Sequence, residues 1–264
     1  MEGIRPDRRR ILFSGAAGLG SLLPVCDGFA GSAPGRKVGG SVEGLTYRVQ
    51  RMLLGANRLA REYSEADITA NFRANGTTDP SDNDYRRLVS NGFADWRLRV
   101  HGLVDNLLDL SLTDLRALPA RTQITRHDCV EGWSCIGQWT GAPLSEVLVR
   151  AGVKAQARYA VFHCADIMEG GGAAPNLDNR AIRYYESIDL IDAYHPQTIL
   201  AYAMNGRPLP IANGAPLRLR VERQLGYKMA KYLMRIELVH SLTGIGDGKG
   251  GYWEDRGYDW YAGI

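Results

Sequence analysis

The stretch ITRHDCVEGWSCIGQWTGAPLSEVL, Ile124 to Leu148, holds two of the chain's four cysteines, one of its five histidines and two of its five tryptophans. With the residues before it, RTQITRHD alternates apolar and polar side chains as a half-buried strand does, and it delivers Cys129 at its far end. PLSEVLVRAG then reads as a helix, with Pro and Ser at its start and Gly152 as its C-terminal stop. Between them Cys129 and Cys135 fall in a loop rich in Trp and Gly. A cysteine used for packing belongs within a strand or helix. A thiol just past a strand end is placed to meet something bound there.

Outward from this stretch the chain is mostly short strands. WRLRVHG alternates and stops at Gly102, and LSLTDLRALP predicts a short helix capped by Ser111 or Thr113. ARYAVFHC is a strand expected to end at Cys164. TILAYAMNGRPLP is a strand with an Asn-Gly turn, and APLRLRVER and MRIELVH complete the set. Strands and helices do not alternate regularly, so the fold class is α+β, mainly β, and not doubly wound. Residues 68–264 are expected to form one domain. Residues 31–67 divide into a Gly/Ser-rich linker and an amphipathic helix, with Leu45, Val49, Met52, Leu53, Ala56, Leu59, Ala60 and Tyr63 on one side and arginines opposite.

Residues 1–30 read as an export signal. Arg8, Arg9 and Arg10 precede an apolar Gly/Ala-rich run that ends in small residues, as in a twin-arginine signal. That route carries folded proteins, often with a cofactor inserted, to the periplasm. Cys26 is a poor lipidation site. Removal of the signal leaves Cys129, Cys135 and Cys164, an odd number, so at least one thiol is free, ligated or paired between chains; a Cys129–Cys135 disulfide stays open. The net charge of +3, without a Lys/Arg block among aromatics, argues against nucleic acid as a partner. Past residue 30 no apolar run approaches the roughly 18 residues of a membrane helix.

Several other motifs have bland readings that prevail. GDGKGG, 246–251, matches Gly-x-Gly-x-x-Gly but lacks the helix and second strand of a dinucleotide site. His127, Cys129, Cys135, His163 and Cys164 lack the close pairs of a zinc site, and a Cys–His nucleophile has the residue types without a discriminating spacing. Asn71, Asn213 and Arg218 lie in or beside Gly-rich turns. Together with the two lysines of QLGYKMAKYLMRI, such turn amides and an arginine can hold a phosphate.

At these residues the chain resembles the sulfite-oxidase-type molybdopterin domain, and most closely the bacterial periplasmic branch typified by the catalytic subunit of protein-methionine-sulfoxide reductase. The motifs are NFRANGT, CVEGWSCIGQWTGAPL, YAVFHC, DAYHPQTIL, NGRPLPIANGAPLRLRV and GYKMAKYLMRIELV, in one order from Asn71 to about Val239. The resemblance implies a molybdenum-molybdopterin cofactor with Cys129 as its thiolate ligand. It implies contacts to the pterin or its phosphate from Asn71, Cys164, Asn213, Arg218, Met229, Ala230 and Lys231. Where this chain has Cys164 the branch often has a hydroxyl residue, so the contact expected there is through the main chain. Tyr184 matches an active-site tyrosine, with Tyr185 as the alternative. Trp133 and Trp139 are expected to wall the pocket and keep water from the metal.

Departures from the family pattern narrow the expectation. Sulfite oxidases of animals and plants carry an arginine soon after the ligand cysteine; CVEGWS has Glu131 and Trp133 instead. An acidic approach repels a dianion, so S-oxide reduction by two-electron oxygen-atom transfer is expected, of a small-molecule or protein-bound sulfur substrate. Arg97, Arg99 and Arg126 are the basic residues with a chance of reaching the pocket. The alternatives are a sulfite dehydrogenase that passes electrons to a cytochrome and a non-catalytic pterin-binding module. No immunoglobulin-like dimerisation domain is expected, and a monomeric catalytic subunit is. No haem or flavin motif occurs, so the electron partner implied is a cytochrome or a haem-bearing membrane subunit.

Overall fold

The computed structural model describes residues 47–52, 55, 57–169 and 181–264. The expected signal, Cys26 and the Gly/Ser linker lie outside the described residues. Residues 47–52 are helical and belong to a first unit, Met1–Leu54; the second unit runs from Gly55 to Ile264. Among the described residues no helix is long and apolar enough to cross a membrane.

The amphipathic helix expected to reach Tyr63 does not. Gly55 turns left-handed at φ +66°, and residues 57–63 have no helix. The side chain of Gln197 supplies what the helix ladder would have: it accepts from Ala60 N–H at 2.7 Å and donates to Ala60 C=O at 3.1 Å. Tyr63 N–H donates to Ile124 C=O, so this segment lies beside the strand that carries Cys129.

Two five-stranded sheets build the second unit. The first has the order β2-β1-β10-β5-β6, from Leu108–Leu110, Leu98–Gly102, Leu233–Val239, Tyr159–Glu169 and Ile182–Asp189; only β1 and β10 are parallel. The second has the order β3-β4-β7-β8, from Arg121–Asp128, Ser134–Pro143, Ile199–Met204 and Arg207–Pro208, with β9, Arg218–Arg220, also on β7. Helix α1 spans Asn83–Ser90, α2 Leu112–Arg116, α3 Leu144–Ala151 and α4 Leu190–Ala193. One apolar core unites Val100, Ile236 and Leu238 of the first sheet, Leu200 and Leu219 of the second, and Leu144, Val147 and Leu148 of α3. Each such side chain, fully buried, contributes about 1.5–3 kcal/mol.

Local chemistry explains the boundaries. Ser111 and Asp114 form a reciprocal capping box on α2, Gly152 ends α3 at φ +65°, and Asn205-Gly206, at φ 49° and 73°, closes the β7–β8 hairpin. The aromatic segment after Cys129 is not all loop. From Ser134 it is β4, paired to β3 with Cys135 opposite His127, so Cys135 is a packing residue of a strand. Nor does β5 end at Cys164, which pairs with Leu233 while the strand continues to Glu169.

After β10 the chain crosses the unit as turns and one short 3-10 stretch, Glu254–Arg256. A buried ion cluster fastens it: Lys228 Nζ donates to Glu186 and to Glu254, and all three side chains are excluded from solvent. Burial and the neighbouring Glu254 push the Glu186 carboxyl well above its usual range, while Lys228 stays charged between the two acids. Lys228 is therefore committed to the tail and unavailable to the phosphate site expected of it. Lys228→Met is expected to strand two buried carboxyls and cost roughly 3–5 kcal/mol, read as a lower urea midpoint. A loss below about 1 kcal/mol would show that the cluster does not hold the tail.

Candidate functional site

Cys129 stands one residue past β3, in a tight turn. Its N–H donates to Trp133 C=O, its C=O accepts from Gly132 N–H, and Gly132 adopts φ +85°. The turn exposes the thiol to a cavity of about 170 Å³. The same cavity is lined by Asn75, Gly76, Thr77, Val130 and Glu131, by Asp166 and Met168 of β5, and by Tyr184 of β6. Gly226, Tyr227, Met229, Lys231, Trp253 and Tyr258 complete it. Burial raises the Cys129 pKa, so the pocket by itself favours the thiol, and a thiolate there needs a metal to hold it.

A bare glycine brings the two walls together. A Cβ on Gly226 would stand 2.5 Å from the His127 ring, so no other residue fits where the Gly226–Lys228 turn rests on β3. His127, fully buried and held neutral by burial and by Arg220, sets its Nδ1 3.3 Å from the sulfur of Met229. Met229 and Cys129 thereby face one space.

Of the other expected site residues, Tyr184 and Lys231 line this cavity too. The Tyr184 hydroxyl donates to Tyr227 C=O, which leaves its oxygen as an acceptor, and burial holds its pKa far above the ordinary value. Tyr185 points elsewhere and donates to Asp255. Arg218 and Asn213 adjoin the cavity: Arg218 donates to Asn213 C=O at 2.9 Å and to the C=O of Met229 at 3.3 Å. Cys164 and Ala230 lie in the apolar core, and neither side chain lines the cavity. Asn71 is exposed and outside it, whereas Asn75 of the same motif is in its wall.

Trp139 does not wall the pocket. It is fully buried, with the guanidiniums of Arg218 and Arg220 at 4.9 and 4.4 Å from its ring centre. The aromatic wall comes instead from Tyr227 and from Trp253 and Tyr258 of the C-terminal segment, whose rings sit 5.2 Å apart. Trp133 donates to Glu131 at 2.9 Å, and Arg73 lies over its ring and pairs with Glu131 at 3.3 Å. Sequence reasoning missed Arg73. Arg97 is turned to the Ala94 and Trp96 carbonyls, Arg126 pairs with Asp128, and Arg99 lines a separate hollow with Arg235.

The residues present fit the cofactor that the resemblance implies. Five buried polar atoms in or behind the cavity wall have no hydrogen-bond partner among the described residues: Asn75 Oδ1, Asp166 Oδ1, His127 Nε2, Asn213 Nδ2 and Arg218 Nε. Each such atom is costly unless a ligand or water satisfies it. The buried cations divide in the same sense. Arg220, Arg223 and Lys228 each have a carboxylate, but Arg218 and Lys231 donate only to carbonyls among the described residues. Burial, with Arg220 adding to it, lowers the Arg218 pKa to about 9; burial and Arg218 lower Lys231 to about 7. An anion at this end would reverse both shifts. Asp166, pushed up to about 6 by burial, completes a mixed lining of donors and acceptors. Such a lining suits a polar, anionic cofactor with a thiolate-seeking metal at the Cys129 end. All three described cysteines are free, and no group of three or more His, Cys, Asp or Glu is placed for a metal among the described residues.

Comparison with known proteins agrees. The profile of the family described as oxidoreductase molybdopterin binding domain matches residues 87–243. A protein of Azospira oryzae named as a putative protein-methionine-sulfoxide reductase subunit, YedZ1, is 39% identical over 81% of this chain and 72% of its own length. The protein-methionine-sulfoxide reductase catalytic subunit MsrP of Xanthomonas campestris pv. campestris is 37% identical over 67% of this chain, which spans 55% of that protein's length. Among solved structures, the sulfane dehydrogenase SoxCD of Paracoccus pantotrophus aligns with a TM-score of 0.48 at 22% identity, over 60% of this chain and 44% of that one.

Replacing Arg218 with Met keeps the stem against Trp139 and removes the charge. The expected result is a fall in molybdenum and pterin per chain, because a charge-assisted contact worth roughly 1.5–3 kcal/mol is lost. An unchanged ratio would take Arg218 out of the cofactor site.

Proposed function

This chain belongs to the molybdopterin-binding oxidoreductase family, and from that premise we propose that it is a periplasmic sulfoxide reductase. In the reaction a sulfoxide takes up two electrons and two protons, its sulfur–oxygen bond breaks, and a thioether and one water leave. When bound, the molybdenum centre supplies the two-electron couple and the acceptor for oxygen. The chain supplies the rest. Cys129 binds the metal, and Arg218 with the turn around Asn213 holds the anionic end of the cofactor. Tyr184, Tyr227, Trp253 and Tyr258 exclude water and give the substrate an apolar wall.

The observation that carries the choice of substrate is the charge at the mouth. Glu131 lines the cavity and is paired with Arg73, both about 60% exposed, so its charge is compensated, and Arg73 lies over the Trp133 ring beside it. A sulfite dianion needs unpaired cationic donors beside the metal. A dialkyl sulfoxide needs apolar surface and room. The names of the relatives support the same direction. Electrons reach the site from a separate haem-bearing protein, and export follows the twin-arginine route read in residues 1–30.

Steady-state assays on a metal-replete preparation decide the matter: kcat/KM is expected to be higher for sulfoxides as acceptors than for sulfite as donor. Efficient sulfite oxidation coupled to a cytochrome would reverse the assignment. Glu131→Gln, which releases Arg73, is expected to lower the KM for sulfite by an amount that shrinks with added salt. Cys129→Ser is expected to abolish turnover with the fold intact, since serine is a harder and weaker ligand for this metal; activity above a few per cent of wild type would remove Cys129 from the metal.

A further inference from the structure

The glycine-rich loop GDGKGG, which lacks the context of a dinucleotide site, holds an anion of the chain's own. Gly246 at φ +56° and Gly248 at φ +88° turn the backbone N–H groups of Asp247 and Lys249 towards one carboxylate. It is that of Asp255: Oδ2 accepts from Asp247 N–H at 3.0 Å and Oδ1 from Lys249 N–H at 3.2 Å. The Tyr185 hydroxyl donates to Oδ2 as well. Tyr185 takes hold of the same segment a second time, its C=O accepting from Tyr252 N–H at 3.0 Å. The fit is close: a Cβ on Gly246 would stand 2.5 Å from Asp255 Oδ2. Asp255 sits in the 3-10 turn Glu254–Arg256, and the residue before that turn, Trp253, accepts at its C=O from Arg256 N–H at 2.9 Å and from Tyr258 N–H at 3.1 Å. The turn thus carries at its two ends the rings that the tail gives to the cavity wall, Trp253 and Tyr258. Tyr258 in turn meets Tyr227 of the same wall edge-on at 5.3 Å.

From this we infer that Asp255 is a positioning residue: seated in the amides of the glycine loop and tied to Tyr185, it sets the Trp253–Tyr258 wall and with it the discrimination among substrates by size. The two neighbouring acids divide the work. Glu254 faces Lys228 and keeps the tail on the domain, whereas Asp255 faces the loop and fixes where the two rings stand. A ring displaced by about 1 Å loses much of its dispersion contact with a bulky substrate, because that attraction falls steeply with separation. A small substrate, which makes few such contacts, is little affected. Tyr185, which does not line the cavity, acts here through Asp255. The inference rests on the reading of the cavity as a site of sulfoxide reduction.

Kinetics and amide hydrogen exchange on the metal-replete full protein test it. Asp255→Asn keeps the shape, but its amide nitrogen accepts nothing, so at least one of the three donors loses its partner. Exchange over residues 246–258 is expected to rise about tenfold, the effect of one lost hydrogen-bonded tie. For methyl phenyl sulfoxide kcat/KM is expected to fall about tenfold, and for dimethyl sulfoxide by no more than about threefold. Molybdenum and pterin per chain are expected to stay at the wild-type value. Tyr185→Phe, which removes one donor, is expected to move exchange and the ratio of the two substrates in the same direction. A merely structural defect lowers both substrates equally; an unchanged ratio in both variants therefore overturns the assignment. A fall in cofactor content that accounts for the lost activity overturns it too, since Asp255 would then act on cofactor retention. If the wild-type protein reduces neither sulfoxide, the proposed function fails, and exchange alone decides: faster exchange in both variants upholds Asp255 as the tie that sets the wall, and unchanged exchange overturns it. Should Asp255→Asn not fold, Tyr185→Phe decides by the same readouts.

Discussion

Arg218 places a full positive charge where no water reaches it, and among the described residues only carbonyl oxygens and the face of Trp139 receive it. Taking an ion out of water costs several kcal/mol even after relaxation. The other fully buried cations meet that cost with carboxylates: Arg220 with Glu222, Lys228 with Glu186 and Glu254. Under the function proposed, the cofactor supplies the partner of Arg218, and the architecture around it fits that role. Strand β9 carries Arg218 inward, Gly214 leaves room for its stem, and the Gly226–Lys228 turn brings Met229 onto β3 beside Cys129. One end of the cavity thus asks for an anion and the other for a metal. A pterin that carries both a phosphate and a dithiolene answers both at once.

Much of the fold was legible because its local rules agree with its tertiary ones. Strand β3, the capped α2, α3 with its Gly152 stop and the Asn205-Gly206 hairpin all stand where pattern and turn chemistry put them. The misreadings have physical causes. Strand β4 hides because its buried face, Cys135, Gly137, Trp139 and Gly141, mixes two glycines with one very large ring. Strand β6 is buried on both faces, so Tyr184 to Asp189 show no alternation. Residues 57–63 have helical spacing, but Gln197, far away in sequence, satisfies their backbone instead.

In the site, what depends on one strand end was readable and what depends on distant contacts was not. Cys129 follows from β3 alone. Lys228 and Lys231 of GYKMAK look alike in sequence, yet one closes the C-terminal segment through Glu254 and the other lines the cavity. Trp139 was legible as a large aromatic near Cys129, but its place depends on β4 turning it towards Arg218 and Arg220, away from the cavity. Trp253 and Tyr258 reach the cavity, and Arg73 reaches Glu131 in its wall, from segments that no local pattern connects to Cys129. The aromatic tail straps the domain through Glu254, and its rings also form part of the pocket wall.

The central claim is that Cys129 binds molybdenum in this cavity. X-ray absorption at the molybdenum edge of the purified, metal-replete protein tests it most directly by counting sulfur neighbours. Two sulfurs from the pterin and a third from the protein are expected, with the third lost when Cys129 is replaced by Ala. A sulfur count that the replacement leaves unchanged, or a preparation that carries zinc in place of molybdenum, would contradict it.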